Sequence, residues 1–244
     1  MWDAIPYCGA GPGPAEAWSR WNTDPLLLTG LALLLGWALL RPAPRRGMAL
    51  LAWLVLVVAF VSPLCALSSA LFAARTLHHV LLIGVAAPLL ALALRDGTRR
   101  RAGAWLSLAL PLHVVILWLW HAPPAYAAAL SGDAVYWGMQ ATLLGSALTF
   151  WAAALGRRDE AWPYVSGLLA MMAQMGLLGA LITFAPAALY APHLATTQAW
   201  GFSPLQDQQL AGLIMWVPAS LIYLLAALVR AGRWLDEAAP ERDA

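Results

Sequence analysis

The run Leu89-Leu90-Ala91-Leu92-Ala93-Leu94-Arg95-Asp96-Gly97-Thr98-Arg99-Arg100-Arg101 passes directly from apolar sequence to four arginines in seven residues. The chain repeats this arrangement. Of its fourteen arginines, twelve fall at Arg41, Arg45 and Arg46, at Arg95 and Arg99 to Arg101, at Arg157 and Arg158, and at Arg230, Arg233 and Arg242, and there is no lysine. Long apolar stretches separated by arginine-rich loops are the positive-inside signature of a multispanning membrane protein.

Composition points the same way. Hydrophobic residues make up 62% of the 244 and charged residues 11%, against roughly 45–50% and 25% in a soluble domain. A helix needs about 20 apolar residues to cross the hydrocarbon core. Seven segments qualify, near 25–40, 48–67, 78–95, 103–121, 134–155, 163–184 and 208–231. The expected fold is therefore an all-α polytopic bundle of seven transmembrane helices. Its N-terminus is outside and its C-terminus is cytoplasmic. Residues 1–24 form an external (periplasmic) segment, 25–235 the membrane domain and 236–244 a cytoplasmic tail.

The N-terminus lacks the basic leader and short apolar core of a cleavable signal peptide. Gly9, Gly11 and Gly13, interleaved with Pro12 and Pro14, predict irregular external structure, and Trp2, Trp18 and Trp21 are expected at the interface. Asp24-Pro25 predicts a capped helix start with proline at the first position. Ser203-Pro204-Leu205-Gln206 predicts a capping box. Pro88, Pro111 and Pro218 fall inside spans, where neighbouring groups must satisfy the freed carbonyls. Gly176 and Ala180 offer a surface for close helix packing.

This topology gathers soft ligands at one face. Of His78, His79, His113, His121 and His193, all but His113 fall at or beyond external ends of spans. His113 lies eight residues inward of His121, about 12 Å along a helix. Cys8 and Cys65 are external, and Met139, Met175 and Met215 lie in the outer half or middle of their spans. Thiolate and thioether select Cu(I), while imidazole suits copper, zinc or haem iron. No C-x-x-C or H-E-x-x-H spacing accompanies the set.

Plainer readings stand beside the copper one. His193 reads as an interfacial side chain meeting headgroups. Adjacent helical residues point about 100° apart, so at most one of His78 and His79 is expected to point squarely into the bundle. His113 is either an interhelical hydrogen-bonding group or a ligand. The methionines suit core packing. In an oxidising compartment Cys8 and Cys65 form a disulfide as readily as a metal site.

Other chemistries find no support. A retinal Schiff base needs lysine, and there is no nucleophile elbow, phosphate loop or intramembrane carboxylate pair. No basic stripe with interleaved aromatics marks a nucleic-acid partner.

Several stretches resemble a known family. Tyr7-Cys8-Gly9, Arg20-Trp21-Asn22, Ala74-Arg75-Thr76-Leu77-His78-His79, Trp118-Leu119-Trp120-His121-Ala122-Pro123, Gly179-Ala180-Leu181-Ile182-Thr183-Phe184-Ala185-Pro186 and Asp207-Gln208-Gln209-Leu210-Ala211-Gly212 are similar to CtaG-type cytochrome c oxidase assembly proteins of the multispanning kind associated with caa-type oxidases. The likeness implies a non-enzymatic role in maturing a haem-copper oxidase, whose subunit would be the partner alongside membrane lipids. On that role the chain is expected to sit in a bacterial inner (plasma) membrane, and its own gathered ligands predict capture of Cu(I) at the external face through His79, His121 and His78, with Cys8, Cys65, Met175 or Met215 as a soft partner and His113 at a deeper site. A metal-free scaffold and a haem- or quinone-binding protein are the alternatives. The family pattern His-x-x-x-His entering the third span is altered here, with Arg75 at the first position and His79 at the second. A guanidinium there opposes a bound cation, or binds a lipid phosphate or an oxidase carboxylate.

Overall fold

The structure is a computed structural model that describes residues 4–95, 102–155 and 162–238. Arg99 to Arg101, Arg157, Arg158 and Arg242, on which the topology partly rests, lie outside the described residues, as do Trp2 and the end of the 236–244 tail. The described residues are helical and contain no strand. Helices α1 (Pro25–Leu39), α2 (Ala43–Phe60), α3 (Leu64–Ala70), α4 (Phe72–Val80), α5 (Ala87–Ala93), α6 (Ala102–His121), α7 (Pro123–Ala129), α8 (Asp133–Ala154), α9 (Trp162–Thr183), α10 (Pro204–Ile214) and α11 (Ser220–Ala238) follow in order.

Among the described residues four stretches are long and apolar enough to cross a membrane: Ala43–Phe60, Phe72–Ala93, Trp162–Thr183 and Pro204–Asp236. A fifth joins α6 to α7 across a 78° bend. The apolar helix α1 is shorter, and α8, with Tyr136, Gln140, Thr142 and Ser146 along its length, is long but more polar. Helix α6 leaves Leu108, Leu112, Val115 and Leu119 exposed. Their spacing of four, three and four puts them on one apolar stripe left uncovered by the described residues. Such a stripe suits lipid contact.

Local chemistry sets the helix ends. Asp24 caps α1 by accepting from the amides of Leu26 (2.8 Å) and Leu27 (3.4 Å) with Pro25 at the first position. Its other oxygen accepts the Tyr7 phenol at 2.6 Å. That hydrogen bond, followed by the Leu26 amide, holds the Asp24 carboxyl below the usual carboxylate range. The capping box is present at Ser203 and Gln206.

Two boundaries differ from the sequence expectation. The second span breaks at Ser62-Pro63 rather than running to residue 67, because proline supplies no amide for a continuing ladder. The third begins at Phe72, not at residue 78, so His78 and His79 lie inside a helix rather than at its end. Polar Arg75, Thr76 and His78 lower the hydropathy of that first stretch, and burial overrides it.

Between α4 and α5 the helix widens into a π turn, Leu81–Ala86. In this wider ladder the partner of the Ile83 carbonyl would be the amide of residue 88, which is Pro88 and has none. The indole Nε1 of Trp151 donates to that carbonyl at 2.8 Å and closes the gap. A second π turn, Met215–Ala219, holds Pro218 and joins α10 to α11.

Helix α4 packs on α10 and α3, α5 on α2 and α8, α6 on α8, and α9 on α10 and α11. Helices α9 and α10 cross with backbones in contact. A Cβ at Gly179 would lie 2.7 Å from the Trp216 nitrogen, and one at Gly212 would lie 2.6 Å from the Gly179 carbonyl oxygen. The tight crossing is therefore at Gly179 and Gly212. Gly176, expected to form that surface with Ala180, meets Trp216 and Ser220 only at ordinary contact distance.

Candidate functional site: a buried histidine and arginine centre

The polar interior starts at the N-terminus of α4. Leu71 is extended there (φ −125°, ψ 131°) and offers no capping side chain. Asp207, 1% exposed on α10, supplies the cap from across the bundle: its Oδ2 accepts the Phe72 amide at 2.7 Å and its Oδ1 the Ala73 amide at 3.1 Å. This crosslink fixes where α4 begins, and hence the angular positions of Arg75, His78 and His79.

Both histidines of the pair are buried, His78 completely and His79 to 3% exposure. The expectation that only one could face inward is overturned. Helix α4 lies inside the bundle with neighbours on both sides, so two directions 100° apart both meet protein. The His78 ring stands edge-on to Phe60 of α2 at 4.8 Å between centres. The His79 ring meets His121, the last residue of α6, edge-on at 5.9 Å between centres. The two neighbouring rings are 5.7 Å apart. Both ring nitrogens of His78 and Nε2 of His79 are buried without a hydrogen-bond partner among the described residues.

His121 is oriented from its own helix. Its Nδ1 lies 2.7 Å from the Leu117 carbonyl, which can only accept, so Nδ1 carries the proton. Nε2 is then the nitrogen with the available lone pair. The His121 carbonyl accepts the Tyr190 hydroxyl at 2.9 Å.

Arg75 is the side chain that sequence reading misplaced. It was expected on the external side, within reach of lipid phosphate or an oxidase carboxylate, but it is completely buried. Its Nε donates to the Ser68 carbonyl at 3.2 Å, and the guanidinium lies over the Tyr136 ring at 5.3 Å. Nη1 and Nη2 have no hydrogen-bond partner among the described residues. Asp207 spends both oxygens on the α4 amides.

The remaining candidates divide. His193 does not meet headgroups; it is 2% exposed, and its Nε2 is hydrogen-bonded to the Tyr126 hydroxyl at 2.6 Å. Burial, followed by the nearby guanidinium of Arg75, pushes its imidazole down to about 3, so it is neutral near pH 7. His113 is buried apart from the others, with Nδ1 2.9 Å from Ser146 Oγ and its ring stacked on Phe150. Met139, Met175 and Met215 are core residues. Met215 heads the π turn that packs against α4, whereas Met175 is on α9, against α10 and α11.

Cys8 and Cys65 are joined in a disulfide. In that state neither offers a thiolate, and a ligand role for either requires reduction first. The bond closes a loop of 57 residues in sequence, for which chain entropy gives about 4 kcal/mol of stabilisation. Cys65→Ser is expected to lower the thermal midpoint and to open the segment before Asp24 to limited proteolysis. An unchanged midpoint and cleavage pattern would mean that the bond contributes nothing to holding the segment.

A cap covers this end of the bundle. Trp200 Nε1 donates to the Pro12 carbonyl, Thr196 Oγ1 to the Ala70 carbonyl, and Gln208 ties the Ile182 and Ala187 carbonyls to the Leu189 amide. The stretch between α9 and α10 is thereby stitched over α4. Sequence reading missed Asp207 and Gln208 as organisers. The adjacent run Asp207-Gln208-Gln209, opening an otherwise apolar helix, was the available signal.

The described residues thus define an all-helical protein with helices apolar enough to cross a membrane and a buried centre of histidines around one arginine. The family described as cytochrome c oxidase caa3 assembly factor (Caa3_CtaG) matches residues 31–237, and the chain belongs to that family. No curated protein and no solved structure matches the chain.

Proposed function

We propose that this protein assists maturation of a haem-copper oxidase by holding Cu(I) transiently between His79 and His121 and passing it to an oxidase subunit by ligand exchange, without enzymatic turnover. In this reading seven helices span a bacterial plasma membrane, with α1, α6 and α8 counted as spans. Residues 1–24 and the histidine end face outward, and the tail after residue 235 is cytoplasmic.

The observation that carries the reading is the His79 and His121 pair. A metal about 2.0 Å from each imidazole nitrogen lies about 3 Å from each ring centre, so two rings 5.9 Å apart can share one ion. The lone pair of His121 Nε2 and the unpartnered Nε2 of His79 are the two donors. No group of three or more His, Cys, Asp or Glu side chains among the described residues is arranged to hold a metal. Structural zinc, which takes four ligands, is poorly served by a pair, whereas Cu(I) accepts low coordination numbers. His78 is the adjacent reserve ligand, and Met215 the soft one.

Arg75 bears on affinity. Its guanidinium lies one turn before His79 and opposes a second cation. The pair should therefore hold copper loosely enough to release it, as a carrier must.

The test is Cu(I) stoichiometry of the detergent-purified protein under reducing, anaerobic conditions, by competition with a chromophoric chelator. About one copper per chain is expected. No retained copper would leave a metal-free assembly scaffold as the function, and a Soret band after haem-supplemented expression would favour haem.

A further inference from the structure

The arginine end of the bundle contains a groove of about 360 Å³ bordered by α5, α8, α9 and α11, remote from the histidine centre. Its mouth is formed by Arg95, which follows α5, and by Arg230 and Arg233, three residues apart on α11. Trp234 sits at the same level, and the walls below are apolar, with Leu225 and Val229 about half exposed. No carboxylate is among the described residues that line it. Asp236 lies three residues beyond Arg233 on the same helix but outside the lining.

The vertical order along α11 is informative. Val229 is one turn and Leu225 two turns below Arg233, about 6 and 12 Å at 1.5 Å per residue. A ligand that satisfies the whole groove is anionic at the top and apolar for a further two turns. Inorganic phosphate would use the mouth and leave the walls wet, and an uncharged lipid would use the walls alone. Arg230 is held in place by stacking over the Tyr164 ring at 4.4 Å, which reduces the side-chain freedom lost on binding. Tryptophan beside the charges is the usual companion of a headgroup, and basic pockets between membrane helices recognise anionic lipid headgroups.

We infer that this groove binds one anionic phospholipid, its phosphate between Arg230, Arg233 and Arg95 and the upper part of an acyl chain along Leu225 and Val229. The bound lipid fastens α11 to α5 and α9 at the end opposite the cap. The inference is independent of copper.

The test uses full-length protein, purified in detergent and stripped of lipid. Phosphatidylglycerol, phosphatidylcholine and inorganic phosphate are added separately while thermal midpoint and retained lipid are followed, the latter by native mass spectrometry. Phosphatidylglycerol alone is expected to raise the midpoint and remain bound. The double variant Arg230→Gln with Arg233→Gln should bind it roughly thirtyfold more weakly, while Arg41→Gln, a change at another arginine of the chain, should bind normally. Arg233→Gln alone, at an exposed position, serves if the double variant does not fold. Equal responses to phosphatidylcholine, full response to inorganic phosphate, or undiminished binding by the Arg230 and Arg233 variants would each overturn the inference.

Discussion

Asp207→Ala is expected to destabilise the protein by roughly 2–5 kcal/mol, an unusually large cost for a polar side chain. The carboxylate is buried and accepts two main-chain amides from a helix 135 residues away in sequence. Alanine would leave the amides of Phe72 and Ala73 without partners in a place water reaches poorly, and each buried unsatisfied donor costs about 1–3 kcal/mol. Asn retains one acceptor oxygen and should fall between the two. The measurement is the thermal midpoint in detergent, paired with Cu(I) retention well below that midpoint. Because the cap sets the start of α4, and α4 carries Arg75, His78 and His79, loosened retention in the folded Ala variant is the second expected result. A midpoint shift equivalent to less than about 0.5 kcal/mol would show that α4 does not depend on this cap.

The parts of the fold that were legible in the sequence are those set by local chemistry. Asp24-Pro25 and Ser203-Pro204-Leu205-Gln206 form the predicted caps because both partners of each hydrogen bond lie within four residues. The apolar runs become helices with ends close to those expected for α6, α8 and α9. The family resemblance was also legible, since its motifs are contiguous stretches, and the family match over residues 31–237 agrees with it.

What was not legible depends on contacts distant in sequence. The start of α4 is invisible to hydropathy because its first turns carry Arg75, Thr76 and His78, and it is made possible by Asp207 from α10. Arg75 and His193 were read as surface groups because each follows or precedes an apolar run. Arg75 is buried among α3 and α8, which it meets at Ser68 and Tyr136, and His193 lies in the cap between α9 and α10, whose ties through Thr196, Trp200 and Gln208 reach other parts of the chain. The disulfide was one of two open outcomes, because pairing Cys8 with Cys65 requires the N-terminal segment to fold back over α3. The π turn at Leu81–Ala86 was equally hidden, since its orphan carbonyl is satisfied by Trp151 on α8.

His79→Ala and His121→Ala are each expected to abolish retention of Cu(I), taking it from about one copper per chain to near none, while helix content and membrane insertion stay intact. With only two imidazoles arranged around the proposed position, loss of either leaves a single donor, and no third His, Cys, Asp or Glu completes a site among the described residues. His113→Ala is the internal comparison. Its ring is buried to a similar degree, but its Nδ1 is engaged with Ser146 and its ring stacks on Phe150, so this variant should retain copper while losing some stability. His78→Ala separates a two-ligand from a three-ligand arrangement: weakened retention would bring His78 into the site, and unchanged retention would restrict it to His79 and His121. Arg75→Gln tests the electrostatic part of the argument in the opposite direction. Removing a fixed positive charge one turn from His79 should tighten Cu(I) binding if the amide packs in place of the guanidinium, and slower transfer to an oxidase acceptor should follow. Full copper retention in both His79→Ala and His121→Ala would sink the metal-carrier reading and leave the buried histidines as structural members of an assembly scaffold.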